Sequence, residues 1–119
     1  MTDYVKTHKD GKWIAVWFYN EEEKPLSIGK KMYEINENAY MNGYNWDALF
    51  NYYLAEHAPE LLEGLESDPE AGSYAAYYPP SEENEKKAER FARIIVSLIE
   101  NEEELYRIVR ENGDEIAWD

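Results

Sequence analysis

Residues 13–19, Trp-Ile-Ala-Val-Trp-Phe-Tyr, constrain the fold of this chain more than any other stretch. Successive side chains of a strand point to opposite faces, so Trp13, Ala15, Trp17 and Tyr19 share one face and Ile14, Val16 and Phe18 the other. Both faces are apolar. A strand of an antiparallel sheet with one face in water normally alternates apolar and polar residues. This strand is therefore either central and covered on both sides, or one of its faces is a binding surface. Residues 4–8 are also rich in β-branched and aromatic side chains, and Lys9-Asp10-Gly11-Lys12 between the two segments is turn chemistry built on Asp-Gly. The pattern predicts a β-hairpin.

Beyond the hairpin the apolar period changes from two to about 3.6. Pro25 can open a helix carrying Ile28, Met32 and Ile35, although Gly29 weakens it. Asn42-Gly43-Tyr44 reads as a turn, with Asn45 as the cap of a helix that begins at Trp46. Along that helix Trp46, Leu49, Phe50, Tyr53, Leu54 and His57 form one stripe. Pro59 interrupts it and restarts a short segment with Leu61, Leu62 and Leu65, before a turn at Ser67-Asp68-Pro69. Residues 73–78, with three Tyr, are bounded by Gly72 and Pro79-Pro80 and suit a strand that pairs with the hairpin. Ser81 can cap a long helix running to about Glu100, with Ala88, Phe91, Ala92, Ile95, Leu98 and Ile99 inward. Asn101 and Glu104 form a capping-box pattern for a last helix that ends at Asn112-Gly113, and a short edge strand through Ile116 and Trp118 can follow. The expected fold is α+β, a small antiparallel sheet made of the N-terminal hairpin and the strand near 73–78, packed against about four helices. At 119 residues a single domain, 1–119, is expected.

Charge narrows the function. The chain carries 26 acids against 12 bases, a net charge of −14. Residues 1–60 contribute ten acids and six bases, residues 61–119 sixteen and six, so the acidity lies mainly in the second half. Such a field repels phosphate backbones and anionic lipid and steers basic proteins into encounter. The expected partner is a basic protein, with no nucleic acid and no membrane involved. There is no Cys, hence no disulfide or thiolate zinc site, and neither a signal peptide nor a long apolar run is visible. A cytoplasmic location is expected.

Candidate chemistry is thin. A catalytic triad needs a nucleophile, a base and an orienting acid, and the only histidines are His8, beside the turn, and His57, on an apolar stripe. Asp68 and Glu70 flank Pro69 and could serve a hard metal or an acid–base pair with His57, but a turn with solvated acids is the commoner use of such a pair. No phosphate loop, HExxH pair or EF-hand loop is present. The expectation is a binding protein, not an enzyme, with no metal and no cofactor. Exposed acids and tyrosines near the third strand and the long helix, namely Asp68, Glu70, Tyr78, Glu82, Glu83 and Glu85, are the expected contact residues.

The stretch Ala39-Tyr40-Met41-Asn42-Gly43-Tyr44-Asn45-Trp46, its amphipathic helix, and then Ser67-Asp68-Pro69-Glu70-Ala71-Gly72-Ser73-Tyr74 resemble bacterial immunity protein family 51 over about residues 13–112. The resemblance implies a small cytoplasmic α+β protein of a polymorphic toxin or contact-dependent inhibition system. Such a protein binds a cognate toxin C-terminal domain and brings no catalytic residues. Many such toxins are basic nucleases, which the charge of −14 would complement. Gly43, Tyr44, Trp46, Pro69 and Gly72 are read as structural, Gly43 by permitting a positive φ and Trp46 as a core anchor. The alternative is an acidic nucleic-acid mimic or regulator that meets several basic proteins. The expected state is a monomer or a weak homodimer.

Overall fold

The structure, a computed structural model, describes residues 2–118. The hairpin forms as β1 (Val5–Lys9) and β2 (Ile14–Phe18), with Val5 opposite Phe18 and Lys9 opposite Ile14. Asp10 holds its turn, the carboxylate accepting from the N–H groups of Lys12 (2.8 Å) and Trp13 (2.9 Å). These bonds make the Asp-Gly pair a stable connection instead of a loose loop.

Four strands form one antiparallel sheet, ordered β1, β2, β4, β3, where β3 is Glu66–Ser67 and β4 is Tyr74–Tyr78. Strand β2 is interior to the sheet, although helices cover only its Ile14, Val16 and Phe18 face, and β4 pairs with it in the register Ile14 to Tyr78. The two-residue β3 overlaps the stretch Ser67-Asp68-Pro69, whose residues predict a turn. It is too short for any periodicity, and it exists because Glu66 and Ser67 lie opposite Tyr77 and Ala76.

The helices are α1 (Glu23–Ile35), α2 (Gly43–His57), α3 (Glu82–Glu100) and α4 (Glu102–Glu111), with 3-10 turns at Pro59–Leu62 and Gly113–Glu115. Helix α3 is capped as its sequence predicts, the Ser81 hydroxyl accepting from the Asn84 N–H at 3.0 Å. Helix α2 starts three residues earlier than expected. Its cap is Asn42, whose side chain accepts from the Asn45 N–H at 3.0 Å, while Asn45 itself lies buried inside the first turn.

Other expectations are corrected in the same way. Ile35 is exposed, because α1 buries Pro25, Ile28, Gly29 and Met32 on a face that excludes it. Helix α1 runs through Gly29, where a Cβ would lie about 3.0 Å from the Met41 Cβ, so the glycine lets Met41 pack closely against the helix despite its propensity cost. Asn101 makes no side-chain cap to α4, and Glu104 instead chelates the Arg107 guanidinium at 2.7 and 2.9 Å. The terminal strand is absent among the described residues: Ile116 turns into the core and the Trp118 indole donates to the Gly113 carbonyl at 3.0 Å. Asp119 lies outside the described residues.

The core is aromatic. Phe18 meets Trp46 (5.0 Å between centroids) and Phe50 (5.5 Å), and Phe50 reaches Tyr74 (5.1 Å) and Phe91 (5.7 Å), mostly edge to face. These rings join β2, β4, α2 and α3 in one cluster with Leu49, Leu54, Leu61, Ile95 and Ile99. The buried inward residues of the sheet, Val5, Ile14, Val16, Phe18, Tyr74, Ala76 and Tyr78, face this cluster. The helices therefore form one layer and the sheet the other. No helix among the described residues is long and apolar enough to cross a membrane.

Candidate partner-binding surface

The nominated contact residues do not form one patch. Tyr78 is wholly buried, its hydroxyl donating to the Leu61 carbonyl at 2.5 Å, and burial pushes its ionisation far above the ordinary phenol range. Its expected exposure is corrected by register: positions 74, 76 and 78 share the helix side of β4, leaving Tyr77 to face outward. Asp68 and Glu70 are exposed near the start of β4, where the Asp68 N–H donates to Ala75 (2.8 Å) and the Glu70 N–H to Ser73 (2.8 Å). Glu82, Glu83 and Glu85 lie beyond the other end of β4, in the first turn of α3, and Glu85 is already paired with Lys9 at 2.6 Å. The two acidic groups are thus separated by the length of a five-residue strand, roughly 15 Å.

The same geometry separates the residues considered for hydrolysis. Glu70 packs against the first residue of α2 and His57 is its last, so a 15-residue helix of roughly 20 Å lies between them. His57 is exposed and rests on Tyr53 (4.3 Å) instead of extending the buried stripe. Among the described residues no three His, Cys, Asp or Glu side chains converge in a way that could hold a metal ion.

The two sequence stretches that carry the family resemblance meet in space. The Gly43 N–H donates to the Ala71 carbonyl at 2.9 Å, and the buried Asn20 amide donates to the same oxygen at 3.2 Å. A Cβ on Gly43 would overlap the carbonyl oxygens of Glu70 and Ser73. Gly43 is therefore required by close backbone approach, and not by the positive φ expected of it; in this region the positive φ belongs to Met41, at 53°. Trp46 is fully buried, Pro69 and Gly72 are half-buried, and Tyr44, grouped with them as structural, is 45% exposed.

The opposite side of the sheet carries the feature that the sequence left open. Trp13, Ala15, Trp17 and Tyr19 point there from β2 and its ends, and Ala75 and Tyr77 from β4. Their rings pair with one another: His8 stacks on Trp17 at 5.4 Å and Trp13 meets Tyr77 edge-on at 5.9 Å. That mutual cover leaves Ala15 only 3% exposed while Trp13 remains 38% exposed. Glu66 lies in the row of Tyr77, and Asp68 bonds back to Ala75 on the next. At the far end a notch of about 380 Å³ is lined by Asp3, Lys6, Tyr19, Glu21, Glu22 and Gly72. The periodicity of β2 pointed to this face; its acidic edge depends on β3, which no sequence pattern announced.

Fold and surface together define a small two-layer α+β domain with helices on one face of its sheet and an aromatic, acid-edged face on the other. The chain belongs to a defined family within that class: the profile of Immunity protein 51 matches residues 6–114. Comparison with curated proteins and with solved structures finds no match.

Proposed function

We propose that this immunity protein binds and neutralises a cognate toxin domain that is a basic nuclease, by occluding the toxin's active site inside the producing cell. The observation that carries this reading is the charge. Even if every Lys and Arg were paired with a carboxylate, fourteen acids would remain uncompensated. A nuclease cleft built to hold phosphates is lined with cations, and a surface of this sign attracts it and competes with the nucleic acid for it. Family membership supports the toxin as partner, and the exposed acids Asp68, Glu70, Glu82 and Glu83 are available as its long-range steering groups, while Glu85 is held by Lys9. The test is co-expression with the toxin encoded by the adjacent gene. Survival of the cells and a one-to-one complex stable in high salt are expected. Continued killing, or loose salt-labile binding to many basic proteins, would sink this reading and favour a general acidic mimic.

A further inference from the structure

We propose that the helix-free face of the sheet, centred on Trp13, Trp17 and Tyr77, is where the basic partner docks, an inference that rests on the toxin-neutralising reading above. A sheet face in contact with water is ordinarily polar. This one carries two Trp and two Tyr, Trp17 from β2, Tyr77 from β4, and Trp13 and Tyr19 from the residues flanking β2, and none of these rings joins the core cluster that holds the helices to the sheet. Trp13 meets Tyr77 edge to face and His8 stacks on one face of Trp17, so the rings brace one another while Trp13 stays exposed and Trp17, Tyr19 and Tyr77 stay partly exposed. Rigid Trp and Tyr side chains held in this way are the residue types that dominate binding energy, because ordering them on association costs little entropy.

The charges around the rings select the occupant. Asp10 lies at the hairpin end, Glu66 and Asp68 along β3, and Asp3, Glu21 and Glu22 at the notch, six carboxylates against Lys6 and Lys12. An aromatic centre with a negative rim fits a protein surface that presents Arg or Lys, whose cations lie favourably over indole faces. A second copy of this chain would bring the same negative rim and a charge of −14 against it. Another exposed aromatic patch, Leu26 with the tilted ring pair Tyr33 and Tyr40, is bordered by Lys30 and Glu34, which cancel and offer a cationic partner no field.

The experiment measures binding to the toxin domain of the adjacent gene, inactivated in its own active site, together with protection of cells against the active form. Three variants are compared with the parent: Trp17→Ala with Tyr77→Ala, Glu66→Lys with Asp68→Lys, and Tyr40→Ala. Urea midpoints establish that each is folded, and the charge reversals keep the test decisive if the aromatic pair fails to fold. The aromatic variant is expected to lose about 30-fold or more in affinity. The charge reversals should slow association by about tenfold, and Tyr40→Ala should behave as the parent. A parent that protects while the first two variants protect and bind equally well overturns the docking face alone. Loss of binding on Tyr40→Ala, or a parent dimer that the aromatic variant dissociates, assigns the face otherwise and also overturns it. A parent that neither binds nor protects overturns the toxin reading and the docking face with it.

Discussion

Gly43 shows how one residue can join two distant parts of the chain. Its N–H reaches Ala71, and the carbonyls of Glu70 and Ser73 occupy the space a side chain would need. Backbone cannot retreat as a flexible side chain can, so Gly43→Ala should cost about 3 kcal/mol or more through overpacking, read from the urea midpoint. Gly11 supplies the contrast: nothing lies within 4 Å of a Cβ there, and Gly11→Ala should stay within about 0.5 kcal/mol of the parent. Trp46, wholly buried against Phe18 and Phe50, should cost about 3–5 kcal/mol when cut to Ala, whether or not a partner is present. A Trp46→Ala midpoint equal to the parent's would remove it from the core. The need for glycine at 43 was legible in the Asn-Gly pair, but its reason was not, because Glu70 and Ser73 approach it from a different part of the chain.

At the scale of elements, caps and tethers decide where helices begin and how they are held. Asn42→Ala and Ser81→Ala should each destabilise by about 1 kcal/mol, whereas Asn101→Ala, whose side chain makes no cap, should change little. Thermal melts of the three variants check this ordering. Glu100, near the end of α3, accepts from the Tyr4 hydroxyl (2.6 Å) and pairs with Lys24 of α1 (2.8 Å), so it ties the N-terminal segment and two helices together. The hydrogen bonds from Lys24 and then Tyr4 hold its ionisation below the usual Glu range. A depressed carboxyl stabilises the fold above its unfolded value, and that contribution is lost as pH falls through the folded value. The midpoint advantage of the parent over Glu100→Gln should therefore be present at about pH 7 and shrink as pH falls below about 4.3, the ordinary Glu value. The caps of α2 and α3 were visible as residue types, but Asn42 and Asn45 compete for one helix start. The docking of Gly43 on Ala71 places it at Asn42.

Across the whole molecule the excess of carboxylates opposes compaction. With a net charge of −14, raising ionic strength from about 10 mM to about 150 mM shortens the screening length from about 30 to about 8 Å and should raise the melting temperature in a calorimetric scan. A melting temperature indifferent to salt would mean that repulsion among the uncompensated carboxylates does not limit the stability of the fold. What the sequence by itself determined is what short-range periodicity and turn chemistry can specify: the hairpin about Asp10-Gly11, the apolar character of both faces of β2, the α3 cap at Ser81 and the inward stripe of α3. Tertiary structure decided which face of β2 the helices cover, that Tyr78 turns inward while Tyr77 turns outward, and that Glu66 and Ser67 form a strand at all. The physical reason is common to all three. Each depends on pairing or packing between segments far apart in the chain, and a period of two makes the two faces of a strand equivalent until something covers one of them.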